Sequence, residues 1–188
     1  MKGSLAAVAS VLPDEAAQRV KALWAELESE LGLTGATISP LPHFSYQVAR
    51  DYDLDALADV VAGLAAGARA LRVQTAGLGV FTGASPVLHL PIVRSPELAR
   101  FHVAVWSAGS VAANKLDQHY HPASWTPHVS LAFGDTTPAK VAAAVELLSE
   151  RDLAWDLELD NLAIIKGAGN KPQELAGRFP LEGVARNF

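Results

Sequence analysis

The chain of 188 residues contains no cysteine. Disulfide bridges, thiolate metal sites and cysteine nucleophiles are therefore excluded, and the absence is typical of a cytoplasmic protein. A chain of this length buries a sizeable core without covalent links between its segments. Because 50% of its residues are hydrophobic, we expect one globular unit held together by apolar packing.

The chain also lacks an excess of positive charge and a long apolar run. Its 15 lysines and arginines face 20 acidic residues, which gives a net charge of −5. Extended DNA binding needs a basic face, so we do not expect it, whereas a small anionic ligand needs only local positive charge. No segment reaches the roughly 18 apolar residues of a membrane span. The apolar residues 4–12 run directly into a helix-opening Pro13-Asp14 and are therefore interpreted as a strand, not as a signal peptide.

A four-residue pattern occurs twice, as Pro42-His43-Phe44-Ser45 and as Pro127-His128-Val129-Ser130. The two histidines lie 85 positions apart, at positions 43 and 128. Each motif belongs to a short apolar run of the kind that forms a β-strand. Since side chains alternate between the faces of a strand, each histidine shares a face with its serine and leaves an apolar face to bury.

The same alternation assigns the later residues of both strands to faces. It places Gln47 beside His43 and Ser45, where it is a candidate substrate contact or a solvated strand residue. It places Phe133 on the buried face of the second strand, opposite His128 and Ser130.

The polar and aromatic segment before the second motif supplies the remaining candidates. Tyr120 and Trp125 have rings that could stack on a base, as in readers of single-stranded RNA, or could anchor the loop. Asp117, His119 and His121 occupy alternate positions and could hold a metal ion. Because no further ligands are evident in the sequence, we favour a loop that borders a cleft without a metal.

The two halves of the chain, approximately 40–93 and 125–181, have the same order of elements. Each contains a motif strand, a helix and two strands joined by a turn, which suggests an internal duplication within a single bilobal domain over 1–188. Helices are predicted from apolar spacing and capping residues, and strands from apolar runs. The predicted helices cover 13–31, 53–64, 95–116 and 137–150, and the other predicted strands cover 4–11, 70–81, 86–93, 153–166 and 172–181.

With these features in place, the chain resembles the 2H phosphoesterase superfamily, and most closely its 2′-5′ RNA ligase-like (LigT-like) branch. The resemblance rests on the two motifs, on the segment 125–133 and on the closing strand that ends at 178–181. It implies an α+β, bilobal fold in which two pseudo-symmetric antiparallel sheets line a central cleft with helices outside.

The resemblance also implies a function and a set of site residues. It implies opening of a cyclic phosphodiester, either a 2′,3′-cyclic phosphate at an RNA 3′ end or a small cyclic nucleotide, without metal, ATP or another cofactor. It makes His43 and His128 the catalytic pair, with His43 as proton donor, and makes Ser45 and Ser130 the phosphate-binding hydroxyls. Ligation of 2′-5′ ends would be the same chemistry run backwards.

Two features leave the substrate open. Many members of the family carry threonine where this chain has Ser45 and Ser130, and ligase-like members often carry a basic residue where this chain has Phe133-Gly134-Asp135. The alternative function is a non-catalytic protein that binds nucleotides or RNA ends in the same cleft. In either case we expect a monomer.

Overall fold

One antiparallel sheet of five strands carries the first motif. The computed structural model of the protein describes residues 5–167 and 172–183. The strands of this sheet are β1 (Leu5–Val11), β2 (His43–Arg50), β6 (Lys115–Leu116), β9 (Asn161–Gly167) and β10 (Glu174–Pro180), in the order β10-β9-β1-β2-β6. β1 is the central strand and is buried from Ala6 to Val11, as its continuous apolar sequence predicts.

The second motif lies in a further group of antiparallel strands. These are β3 (Leu71–Gln74), β4 (Gly79–Phe81), β5 (Val87–Pro91), β7 (His128–Ala132) and β8 (Asp156–Leu159). β4 pairs with β5 and β5 with β7, while β3 pairs with β8. An isolated β-bridge between Thr75 and Ile92 links the β3–β8 pair to the sheet of β4, β5 and β7. β3 and β4 therefore lie one after the other along the same edge of β5 and the residues that follow it. Gly77, whose φ of 73° is favourable for glycine, lies between them.

The strands are exchanged between the two halves of the sequence. β3 and β4 follow the first motif in sequence, but β4 joins the sheet of the second motif and β3 pairs with β8. Conversely, β9 and β10 follow the second motif but join the sheet of the first. The segments 40–93 and 125–181 therefore do not coincide with the sheets. The predicted α+β class with antiparallel sheets is confirmed.

Among the residues that the structure describes, four α-helices pack on the strands. They are α1 (Asp14–Leu31), α2 (Leu54–Gly67), α3 (Pro96–Gly109) and α4 (Pro138–Leu148). The side chains of Asp53, Ser95 and Thr137 cap the last three of these helices by accepting a backbone N–H bond. α1 contacts β7 and α4, whereas α2 contacts β9 and β10 and α3 contacts β2. Within the described ranges, no helix is both long enough and apolar enough to cross a bilayer.

Three predicted elements differ from those observed. The predicted strand 70–81 is two strands, β3 and β4, with Gly77 between them. α3 ends at Gly109 and a short 3-10 turn follows, instead of a helix to 116. The predicted strand 153–166 is two strands that separate at Asp160, because the buried side chain of Asn161 turns to bond both backbone groups of Val11. These are long-range contacts that local spacing does not reveal.

A β-bulge follows the first motif serine. Ala9 lies opposite Ser45 and Val8 opposite Gln47, so Tyr46 is an extra residue in β2. A bulge shifts the alternation of faces by one position. The prediction that Gln47 faces the cleft is therefore wrong, since its side chain is fully buried on the other side of the sheet.

An equivalent bulge follows the second motif serine. His89 lies opposite Ser130 and Leu88 opposite Ala132, so Leu131 is the extra residue of β7. Phe133, which follows Ala132, consequently lines the cleft and packs only at the margin of the core, contrary to the prediction from alternation.

The burial of Gln47 predicts an effect on stability and not on ligand binding. Its amide donates to the Trp106 carbonyl at 3.0 Å and to the Ser110 hydroxyl at 3.1 Å, and its oxygen accepts from the Tyr52 hydroxyl at 2.9 Å. Gln47→Ala leaves the Tyr52 hydroxyl without its acceptor, while the Ser110 hydroxyl still donates to the Trp106 carbonyl, so we expect it to lower the free energy of unfolding by about 1–3 kcal/mol. Urea denaturation measures this change. A weaker affinity for a nucleotide with no loss of stability would contradict the assignment.

Candidate active site

The two motif strands line one cleft. Its volume is about 580 Å³, within the range of roughly 300–1,000 Å³ that is typical of small-molecule sites. The walls are the exposed faces of β2 and β7, with the segment 117–126 along one side. His43, Ser45, His128 and Ser130 all contribute to the lining, so residues from distant parts of the sequence meet here.

The two histidines are held in the same way. Nδ1 of His43 bonds the Leu41 carbonyl at 2.7 Å, and Nδ1 of His128 bonds the Thr126 carbonyl at 2.8 Å. A carbonyl oxygen can only accept, so Nδ1 carries the hydrogen in both rings. Nε2 is then the nitrogen that gains or loses a proton when either imidazole titrates.

The proline of each motif explains this geometry. A proline restricts the residue before it to an extended conformation, which fixes the direction of the Leu41 and Thr126 carbonyls. The carbonyl of Pro42 accepts from the backbone N–H of Leu12 at 2.9 Å, and that of Pro127 accepts from Ile92 at 2.9 Å. The backbone of each proline is thus hydrogen-bonded to the first residue after a neighbouring strand, β1 for Pro42 and β5 for Pro127.

Burial lowers the pKa of both histidines below the usual 6.5. For His43 the removal of solvent is the largest cause, and the nearby charge of His128 lowers its pKa further. The hydrogen bonds from Nδ1 to the backbone oppose the shift in both rings. In the free protein at neutral pH both imidazoles are therefore mainly neutral, and a bound anion would favour protonation of either one.

His128 has an aromatic wall that His43 lacks. The ring of His89 lies 5.2 Å from that of His128 and stacks on Phe81 at 4.1 Å. Burial, with a contribution from the charge of His128, lowers the pKa of His89 to about 4. Gly79 makes room for this ring, since a Cβ at that position would collide with Nε2 of His89. The matching position opposite Ser45 is occupied by Ala9.

Comparison with known proteins now identifies the family. A family model described as the 2′-5′ RNA ligase superfamily matches residues 12–171, which is most of the chain. The chain belongs to this superfamily. The resemblance to the 2H phosphoesterases, deduced from the motifs, is thereby confirmed. No curated protein matched the sequence closely enough to identify a relative.

Solved structures of other proteins share the fold. The crystal structure of TT0787 from Thermus thermophilus is similar with a TM-score of 0.65 and 14% identity, over 95% of this chain and 98% of that one. E. coli LigT complexed with 3′-AMP has a TM-score of 0.58 and 11% identity, over 96% and 99% of the two chains. LigT complexed with ATP gives the same TM-score of 0.58 at 12% identity, again over 96% and 99%.

The motif serines face the cleft with their hydroxyls available. Ser45 and Ser130 are both half-buried and lie on the same strand faces as their histidines. Within residues 5–167 and 172–183, neither Oγ makes a hydrogen bond to another protein group. Because a bound anion requires donors that are not already engaged, this arrangement suits a phosphate oxygen.

The aromatic candidates differ from one another in exposure. Tyr120 is half-buried and lines the cleft, and burial raises the pKa of its hydroxyl to about 12. Trp125 also borders the cleft but is only 2% exposed, and its ring stacks on His102 at 3.7 Å. Its indole N–H donates to the Ser45 carbonyl at 2.9 Å, so Trp125 supports the motif strand instead of presenting an exposed platform.

A second tryptophan was missed as a functional candidate. Trp24 of α1 lines the cleft, and its indole N–H donates to the Ser130 carbonyl at 3.1 Å. Its position on the apolar stripe of α1 predicts burial only. No signal in the sequence points to this bond, because the acceptor is a backbone group 106 residues away.

The candidate metal ligands do not converge. Asp117 Oδ1 accepts from Nδ1 of His119 at 2.8 Å, whereas Nδ1 of His121 accepts from the backbone of Ala123 at 3.2 Å. Within the part of the chain that the structure describes, no group of three or more histidines and carboxylates is placed to hold a metal ion.

Basic residues contribute little to the described walls of the cleft. Arg50 lies at one end of its lining, on the same face of β2 as His43 and Ser45. Lys166 pairs with Glu174, and Arg178 pairs with Asp160. Lys171 lies outside the described residues.

The lowered pKa values can be tested by following the histidine ring protons in an NMR titration. We expect His43 and His128 to titrate with midpoints below 6.5. In His128→Gln the midpoint of His43 should rise, because a repelling charge is removed, yet remain below 6.5 because burial persists. The matched variant His121→Gln, which alters an exposed ring on the loop, should leave the His43 midpoint unchanged. A His43 midpoint that does not respond to His128→Gln would contradict the electrostatic contact.

Proposed function

We propose that the protein is a phosphodiesterase that opens a cyclic phosphodiester, at a 2′,3′-cyclic RNA end or in a small cyclic nucleotide, by acid–base catalysis with two histidines. The observation that carries the proposal is the matched pair of imidazoles. His43 and His128 face one cleft, and each is fixed through Nδ1 with Nε2 left to exchange a proton. Each lies beside a serine hydroxyl that has no hydrogen-bond partner among the described residues. The complex of the similar E. coli LigT with 3′-AMP supports a nucleotide as ligand.

The proposed reaction needs one base and one acid. A water molecule attacks phosphorus and loses a proton to Nε2 of one neutral imidazole, as a new P–O bond forms. The bond from phosphorus to one ribose oxygen breaks, and that oxygen takes a proton from Nε2 of the second, protonated imidazole. We assign His128 as the acceptor and His43 as the donor. The product is the ring-opened phosphate monoester, and exchange with solvent restores both rings.

The bound anion sets the required protonation state. The free rings are mainly neutral because burial lowers their pKa, but a phosphodiester carries a negative charge that stabilises one imidazolium beside it. The hydroxyls of Ser45 and Ser130 are assigned to the non-bridging oxygens, on which negative charge increases in the transition state. Each such bond to a charged group contributes roughly 1.5–3 kcal/mol.

The size of the cleft favours a ligand of which a single nucleotide enters the site. A volume of about 580 Å³ accommodates a single nucleotide with its cyclic phosphate. The terminal nucleotide of an RNA and a free 2′,3′-cyclic mononucleotide both present this group, so both remain within the proposal.

Single substitutions should rank the four residues by their roles. We expect His43→Ala and His128→Ala each to lower kcat by about 10²–10⁴-fold, the usual contribution of a positioned acid or base. Ser45→Ala and Ser130→Ala should cost about tenfold to a hundredfold, because each removes one hydrogen bond to the anion. His121→Ala, which removes an exposed histidine outside the cleft lining, is the control and should retain activity.

The assay uses EDTA-treated protein with a 2′,3′-cyclic mononucleotide, an RNA ending in a 2′,3′-cyclic phosphate and a 3′,5′-cyclic nucleotide. We expect release of a single monophosphate isomer from at least one 2′,3′-cyclic substrate. Absence of turnover on the whole set would overturn the proposal. Binding that survives His43→Ala and His128→Ala, without hydrolysis, would favour the alternative of a non-catalytic nucleotide-binding protein.

A further inference from the structure

Both motif serines are held through their backbone by a tryptophan from elsewhere in the chain. The indole N–H of Trp125 donates to the Ser45 carbonyl at 2.9 Å, and that of Trp24 donates to the Ser130 carbonyl at 3.1 Å. The two rings are 2% and 7% exposed, so both bonds are shielded from water. Two unrelated sequence positions therefore make the same contact.

These contacts coincide with the two bulges. Tyr46 and Leu131, the extra residues, directly follow the serines whose carbonyls accept from the indoles. A bulge disrupts the regular ladder, and a buried carbonyl beside it needs another donor. The indole N–H supplies a donor there, so it holds the backbone of each serine, whose hydroxyl faces the cleft, at the start of the bulge.

The donors are arranged crosswise. Trp125 lies three residues before His128, in the segment that leads into the second motif, but it holds the serine of the first. Trp24 lies in α1, the helix that precedes the first motif, but it holds the serine of the second. Each bond thus joins one motif serine to a segment that precedes the other motif in sequence.

The first bulge has an additional support. Nε2 of His102 donates to the Tyr46 carbonyl at 2.9 Å, and its ring stacks on Trp125 at 3.7 Å with an interplanar angle of 16°. Burial lowers the pKa of His102 to about 4, so the ring is neutral at physiological pH and Nε2 holds its hydrogen toward the carbonyl. The successive carbonyls of Ser45 and Tyr46 therefore accept from Trp125 and His102, whose rings stack on each other.

We propose that Trp24 and Trp125 are positioning residues that act through the carbonyls of Ser130 and Ser45 to direct the serine hydroxyls at a bound phosphate. This inference rests on the proposed function only in taking the phosphate as the ligand of the two serines. Because each tryptophan acts through one serine, its removal cannot cost more than removal of that hydroxyl. We expect Trp24→Phe and Trp125→Phe each to lower kcat/KM by up to the same roughly tenfold to hundredfold, since phenylalanine keeps an aromatic ring but has no N–H.

The test is a set of double-mutant cycles on kcat/KM for a 2′,3′-cyclic mononucleotide. Trp125→Phe is combined with Ser45→Ala and, separately, with Ser130→Ala, and Trp24→Phe is combined with the same two. We expect the effect of Trp125→Phe to disappear in Ser45→Ala and to persist in Ser130→Ala, and the reverse for Trp24→Phe. Effects that add in every combination, or that couple equally to both serines, would overturn the proposal.

A matched control separates positioning from general packing. Trp155 also donates its indole N–H to a backbone carbonyl, that of Asp152 at 2.9 Å, but it does not line the cleft. Trp155→Phe removes the same kind of bond and should leave kcat/KM within about twofold in all backgrounds, as independent sites behave. A loss equal to that of Trp125→Phe would show that the effect is one of stability alone.

The cycles remain informative if a variant does not fold or if turnover is absent. A phenylalanine variant that fails to fold is replaced by an analogue in which sulfur takes the place of the indole N–H, which preserves the shape of the ring. If the wild type binds 3′-AMP without turning over any substrate, the proposed function fails, and the same cycles on 3′-AMP affinity decide the crosswise pattern. A wild type that neither turns over nor binds 3′-AMP overturns both inferences.

Discussion

The extra residue in each motif strand, Tyr46 in β2 and Leu131 in β7, determines which side chains reach the cleft. Before each bulge, the face of the strand that lines the cleft carries a histidine and a serine. After it, the alternation has changed, so Val48 and Phe133 line the cleft and Gln47 is buried. The cleft therefore combines the histidine and serine of each motif with apolar residues from beyond the bulges, and Arg50 and Asp117 add charge to its lining. An anion in this cleft has both motif serines as candidate hydrogen-bond donors.

The exchange of strands and helices makes the two motif-bearing sheets interdependent. β9 and β10 complete the first sheet, β4 completes the second, and α1, which precedes the first motif, packs on β7. Most of these contacts join residues far apart in sequence, so forming them requires large loops to close early. A disturbance on one side of the cleft is expected to reach the other through these shared elements and through the crosswise tryptophan bonds.

Much of the fold and the site follows from local patterns in the sequence. Period-two alternation places each histidine with its serine, and Asp53, Ser95 and Thr137 mark helix starts at which the structure has caps. Gln47 and Trp24 could not be placed in this way. A bulge depends on how a strand pairs with its neighbour, and a bond from an indole to a distant carbonyl depends on tertiary packing, so neither has a local signature. In both motif strands the prediction from alternation fails at the residues that follow the motif serine.

The pairing of strands also bears on how such a chain could be shortened. A half-length chain with one motif strand, the strand before it that pairs with it and the two strands that follow would leave one edge of its sheet open and its own last strands without their partners. Two copies of such a half could complete each other by trading those strands, as in a domain-swapped dimer. In the present chain the two halves are covalently connected. The exchange of strands therefore occurs within one molecule and does not depend on protein concentration.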